Sequence, residues 1–510
     1  MANFLRNNAW NQQGTFNNLD LLWYAKGVGV MQSRALNDKT SWWFFAALHG
    51  EYISENSFPG WGHIPGPPAV PTTPLPSQNV QDEFWNQCQH QSWYFPPWHR
   101  GYLIALEEQI RTAIISLGGP GDWALPYWNY FGPQNQYRIP PAFTEQKLPD
   151  GNPNPLYVNA RFGPNNDGYI YIAIPPIAEG CQGNTVYTGS NAATPRPGYG
   201  GPSTGFSHGG NVSGNLESNP HNLVHVQVGG QQSDTLWGLM SDPGIAALDP
   251  IFYLHHSNID RMWASWNAAG NSNPTDKNWL NGPASLAGRE FVMPMPNGSS
   301  WVYTPADVNS LSQLNYTYDD LVAGITPKLV NVLNQRLNKL GVESIDTSKN
   351  DIMDFGTNSE LVGTNDGLLQ LEGAGLKTTV KFDNSALKKV SMSLMNASEV
   401  KLPDQVYLQI ENVKGNMDAN ILTVSVSHQL AGYVSLFGLR NASNKDGHNA
   451  GGGLTFILNI TNIIDNLHLE NQLDVDSLDV TILPGNKIPD SQKITVGRVS
   501  IYREQQQLEL

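Results

Sequence analysis

A chain of 510 residues is too long for one ordinary domain, so two domains are expected. Charged residues make up 14%, against roughly 25% in an average globular protein, and 49 Gly and 35 Pro point to a loop-rich, well-packed fold. A net charge of -15 without any basic cluster argues against a nucleic-acid partner. No run of about 18 apolar residues suggests a membrane span, and MANFLRNNAW lacks the charged start and apolar stretch of a secretory signal. The expectation is a soluble chain, cytoplasmic or exported without a visible signal peptide. Only two cysteines occur, Cys88 and Cys181, which make no disulfide framework.

In chain order, Trp42 to Leu48 is an apolar run ending at His49. A proline-dense loop from Pro59 to Pro76 follows and holds His63. The segment Cys88-Gln-His90-Gln-Ser-Trp-Tyr-Phe-Pro-Pro-Trp-His99-Arg100 places two histidines among aromatic residues. It runs into a helix with Tyr102, Leu103, Leu106, Ile110, Ala113 and Ile114 at helical spacing, stopped by Gly118-Gly119-Pro120. After a Gly/Asn/Pro-rich stretch from about 147 to 220 comes His221-Asn-Leu-Val-His225, whose i, i+4 histidines share a helix face. A further helix over about 251–267 carries His255 and His256 after Asp249-Pro. Adjacent helical residues diverge by about 100°, so these two cannot easily meet one metal.

All 15 tryptophans lie between Trp10 and Trp301, and the character of the chain changes after about residue 300. A helix is expected at about 327–340, with Leu329, Val332, Leu333, Leu337 and Leu340 as its stripe. From about 375 the period is two: Val390–Leu394, Val406–Ile410, Leu422–Val426, Leu478–Ile482 and Ile494–Val496 alternate like half-buried strands of an antiparallel sandwich or barrel.

The two histidine segments, in this order, resemble the paired copper signatures of the tyrosinase and polyphenol oxidase family. Leu314-Asn-Tyr316-Thr-Tyr318-Asp-Asp resembles the paired-tyrosine motif closing that family's core, and the tail resembles, more loosely, the carboxy-terminal domain of plant polyphenol oxidases. The resemblance implies a mainly α catalytic core over 1–320, a four-helix bundle holding two copper ions among long loops. A linker with a helix over 321–374 and an all-β sandwich or barrel-like shielding domain over 375–510 would follow. It assigns His90, His99 and a third upstream ligand to the first copper, and His221, His225 and His256 to the second. His49 is preferred over His63 upstream, because a helix end fixes a ligand better than a proline-rich loop. His255 is left to orient ligands from outside the set. Imidazole suits copper, and three such ligands leave an open face for O2.

Cys88, two before His90, matches a thioether crosslink to that histidine in fungal and plant members; the plain alternative is a small buried hydrophobe. Members with asparagine after the first ligand of the second set often hold a water against a nearby glutamate, which helps remove the phenol proton. Asn222 and Glu217 take those places, although Glu217 could simply anchor its loop. The loop Leu239–Leu248 lacks the phenylalanine gate of many plant catechol oxidases. Together these imply a tyrosinase: ortho-hydroxylation of monophenols and oxidation of o-diphenols to o-quinones with O2 as co-substrate. Catechol oxidase and o-aminophenol oxidase are the alternatives, and a haemocyanin-like oxygen carrier is a remote one. Asp249, Asp260, Arg261 and Arg100 read as structural ion pairs; Phe437 and Tyr433 are candidates by which the tail would block the site, with ordinary sandwich core as the alternative for each. Homo-oligomerisation and a copper-delivery protein are left open.

Overall fold

The computed structural model describes residues 4–508 apart from 54–59, 175–176, 179, 190–196, 322–328, 343–352, 398–401, 446–450, 475 and 490. The chain forms two compact units, one built from 1–182, 203–208 and 215–324, the other from 183–202, 209–214 and 325–510. Among the described residues no helix is long and apolar enough to cross a membrane.

The first unit is helical. Its helices are α1 (Leu19–Gln32), α2 (Trp42–His49), α3 (Gln78–Phe84), α4 (Phe95–Ser116), α5 (Leu223–Gly229) and α6 (Ile251–Ala268). Local chemistry sets their ends. Ser41 accepts the Phe44 N–H and starts α2, while Pro96 and Pro97 open α4, where missing N–H groups cost nothing. The Asp249 carboxylate accepts the Ile251 N–H at the start of α6. Every residue of α2 is buried, as are the first sixteen of α6, so these helices form the centre of the unit and not its wall. Trp42, Trp98, Trp128 and Trp263 fill the space between helices.

One ionic knot ties this core together. Strand Phe4–Arg6 pairs in parallel with Tyr316–Tyr318. Arg6, fully buried, donates to Glu107 on α4 at 2.8 Å and lies 3.3 Å from Asp260 on α6. Arg100 of α4 reaches the other Asp260 oxygen at 2.5 Å, and the hydroxyls of Tyr316 and Tyr318 donate to Asp260 at 2.6 and 2.5 Å. Burial alone would raise the Asp260 carboxyl, but Arg100, Arg6 and the two hydroxyls outweigh it and hold it below the usual range. The paired tyrosines thus clamp α4 to α6 one turn beyond His256 and one residue beyond His99.

The second unit is mostly β. Eight antiparallel strands lie in the spatial order Gln429–Ser435, Ile421–Val426, Ser477–Pro484, Leu376–Phe382, Met353–Thr364, Arg498–Leu508, Gln405–Val413 and Leu454–Asn459. Its two edges approach each other, since a Cβ on Gly432 would stand 3.1 Å from Leu458, so the sheet is nearly a barrel. Ile494–Val496 pairs separately with Leu369–Leu371. Four of the five expected strands are present.

The fifth is a correction: Val390–Leu394 lies within a helix, Asn384–Met395, begun by Asp383 accepting the Ser385 N–H. Val390 and Leu394, four apart, are buried, while Met392 is 55% exposed. The i, i+4 pair outweighs the apparent alternation. The helix expected near 327–340 spans Leu329–Lys339 and buries Leu337; the side chains of Leu329, Val332 and Leu333 lie outside the described residues. Strand Met353–Thr364 lies in the stretch read as a linker, where only Met353, Phe355, Leu361 and Val362 are apolar and the adjacent Leu361 and Val362 break the period of two.

Candidate metal centre

Seven buried histidines converge in the first unit in two groups. His49, His90 and His99 form one, and His221, His225, His255 and His256 the other; within each group the ligand atoms lie within 4.8 Å of one another. His49 ends α2, His99 sits in the first turns of α4, and His90 stands in the loop before it. His221 belongs to a wide π turn, Glu217–Asn222, that leads into α5 and His225. His63, the rival to His49, is exposed in the turn Trp61–His63 and joins neither group.

Four rings are oriented by acceptors on Nδ1. His49 faces the Pro243 carbonyl at 3.0 Å, His99 the Phe95 carbonyl at 2.8 Å, His225 the Met240 carbonyl at 2.8 Å, and His221 the Asn222 Oδ1 at 2.8 Å. A carbonyl can only accept, so Nδ1 carries the proton and Nε2 keeps its lone pair. His221 Nε2 then lies 3.1 Å from His225 Nε2 and 3.2 Å from His256 Nε2. In the first trio, the buried Nε2 atoms of His49 and His99 have no hydrogen-bond partner among the described residues. Burying an unsatisfied ring nitrogen costs about 1–3 kcal/mol, which a metal ion in each group would offset. Burial drives His49, His90, His99, His221, His225 and His256 below their ordinary range, reinforced by neighbouring imidazoles at all but His221, and His49 and His221 fall to about 3. Neutral imidazole is the form a metal binds. The donor set therefore fits a pair of copper ions.

The trios adjoin. His99 and His256 stack at 4.5 Å and 12°. Phe95 lies 4.5 Å from His99 and 4.7 Å from His221, and Phe252 lies 4.8 Å from His49 and 4.1 Å from His256. These two buried rings border both groups. His255 stacks on His221 at 5.2 Å and 21°, and meets Tyr130 at 5.8 Å.

Cys88 Sγ lies 3.4 Å from His90 Nδ1 and 3.1 Å from His208 Nδ1. Nothing in the Ser207-His-Gly-Gly stretch marks His208 as part of the site. Glu217, fully buried, accepts the Gln91 N–H through both oxygens at 3.0 Å. Gln91 has φ of 50°, a costly conformation for a side-chain-bearing residue, and the carboxylate holds it there, next to His90. Asp249 pairs with Arg161 at 2.6 Å, and Arg261 lies 3.8 Å from Asp320. Arg6 and Arg161 escaped the sequence reading, because each partner lies about ninety or more residues away. In the second unit Phe437 is buried beside a glycine turn, and Tyr433 is half-buried on its strand.

Residues 39–269 match the family model described as the common central domain of tyrosinase, and 358–504 match a domain of unknown function, DUF7868. The chain is 32% identical to a protein named tyrosinase HcTyr1 of Hahella sp. (strain CCB-MM4), over 95% of this chain and 97% of that protein. It is 32% identical to chloroplastic polyphenol oxidase E of Solanum lycopersicum over 38% of this chain and 33% of that one. Its fold is similar to that of latent apple tyrosinase, with a TM-score of 0.58 and 20% identity, covering 98% of this chain and 97% of the other.

Proposed function

The chain belongs to the tyrosinase family, and from that premise we propose that it is a copper-dependent phenol oxidase acting as a tyrosinase, converting monophenols and o-diphenols to o-quinones with O2. Two adjoining groups of neutral imidazoles, three in the first and four in the second, carry this reading. His49, His90 and His99 would hold one copper, and His221, His225 and His256 the other. When bound, the pair supplies two-electron redox chemistry with O2.

The protein's own part is placement and proton handling. Carbonyls on Nδ1 hold three rings with Nε2 turned inward, and Phe95 and Phe252 exclude water. Glu217 and Asn222 flank His221 in one turn, and a carboxylate offers about four acceptor positions, so Glu217 can hold both Gln91 and a water. That water would take the phenol proton. Sulfur 3.4 Å from the His90 ring supports a Cys88–His90 thioether, which would stiffen the only ligand outside a helix or helical turn. The tail from about 375 to 510 would act as a shield that makes the enzyme latent; the likeness to a structure titled latent apple tyrosinase supports this.

Copper loading followed by turnover of tyrosine and catechol, before and after limited proteolysis, tests all of this. Quinone from both substrates, and more of it after clipping, is expected. Fewer than two coppers per chain, or no quinone from either phenol, overturns the assignment. Catechol turnover without tyrosine hydroxylation would make the chain a catechol oxidase, and equal rates before and after clipping would remove the shield.

A further inference from the structure

Met240 and Pro243 stand three residues apart in one loop, and their carbonyls face opposite trios. The Met240 carbonyl orients His225 at 2.8 Å, and the Pro243 carbonyl orients His49 at 3.0 Å. The loop between them is tightly held. Fully buried Asp242 accepts the Gly244 N–H at 2.9 Å through its carboxylate, and its carbonyl accepts the Ala246 N–H at 2.8 Å. Trp61 donates to the Gly244 carbonyl at 3.0 Å. Gly50, directly after His49, packs so closely that an added Cβ would stand 2.9 Å from the Pro243 oxygen and 3.0 Å from the Gly244 Cα. Both atoms are backbone, so the loop itself would have to give way.

We propose that the loop Met240–Gly244 is a shared positioning element that couples the two metal sites, so that a displacement applied at the first site changes metal affinity at the second. This rests on the ligand assignment above. Orienting partners of metal-bound histidines are worth on the order of 10- to 100-fold in affinity. A rigid three-residue span between two such partners leaves neither free to move alone.

The test is Gly50→Ala, a wedge on the first-site side, read at the second site. Each copper's affinity is measured by chelator competition, and single-copper protein is detected by the EPR signal that an isolated cupric ion gives and a coupled pair does not. Gly50 is extended at φ -172°, so alanine brings no backbone strain of its own. Gly50→Ala is expected to weaken both coppers by on the order of tenfold or more. His49→Ala, which removes a first-site ligand without pressing on the loop, is expected to lose one copper and retain the other. Loss of only the first copper in Gly50→Ala overturns the coupling, and so does loss of both in His49→Ala. If Gly50→Ala does not fold, Trp61→Phe removes the indole donor to the Gly244 carbonyl. It is expected to weaken both coppers by a smaller factor; an effect confined to one, or none, is equally fatal. Wild-type protein that never binds two coppers would instead defeat the ligand assignment.

Discussion

The two trios reach similar geometry by different means. The second is local: His221 and His225 lie one helical turn apart, and α6 brings His256 against them. The first is assembled from a helix end, a loop and a helix start, with His90 placed by a left-handed Gln91 that Glu217 holds. A site built on adjacent helical turns inherits its precision from the backbone. Both groups carry orienting acceptors on Nδ1, and the one built from dispersed pieces adds Glu217, which holds Gln91 beside His90.

Removing a ligand should give the largest effect. His49→Ala is expected to cut phenol oxidation by more than the roughly 100-fold ceiling for orienting partners, with one copper lost by metal analysis. His63→Ala should leave both copper content and turnover intact, and the reverse pattern would unmake the first trio. Asp260→Asn comes next. It leaves buried Arg6 and Arg100 without their shared carboxylate, so about 3–5 kcal/mol of stability should go, read as a lower melting temperature. Both trios should weaken together, since Asp260 clamps α4 to α6.

Smaller effects separate the trios. Asn222→Ala removes the acceptor on His221 Nδ1 and should weaken the second copper about 10- to 100-fold, with tyrosine hydroxylation falling more than catechol oxidation. Mass spectrometry of the peptide containing Cys88 and His90 should find it lighter by two hydrogen atoms if the thioether forms; Cys88→Ser should abolish that loss and affect the first copper more than the second. In metal-free protein the depressed imidazoles bind protons in the unfolded state before the folded one. Stability should therefore fall as pH drops below about 6.5, by up to about 1.4 kcal/mol per pH unit for each histidine, continuing toward pH 3 for His49 and His221. Acid titration of the melting temperature, with and without copper, checks this sign.

Legibility followed the same division. The spacing of His221 and His225 on one helix face and the resemblance that pointed to His256 select three of the four histidines that the structure brings together there; His255 was set apart by the 100° rule, yet its ring joins them. His49 was identifiable because the apolar run before it had to be a buried helix. Arg6, His208 and the loop carbonyls were not, because distant ion pairs leave no periodicity, a lone histidine before two glycines has no ligand spacing, and backbone oxygens carry no residue signature. In the second unit, alternation revealed four strands but mistook Val390–Leu394 for a fifth, where burial every fourth residue prevails. Met353–Thr364 went unread because a strand rich in polar and glycine residues resembles a connector.

The Arg6 knot bears on how far this enzyme can be trimmed. A fragment cut to the family-matched stretch 39–269 would retain all seven site histidines, yet lose Arg6, Tyr316 and Tyr318. Asp260 would then keep only Arg100 of the four side chains that hold it, and Arg100 would lose the Val308 carbonyl. A fragment that keeps this knot has to reach from Phe4 to at least Tyr318, and affinity tags belong outside that interval.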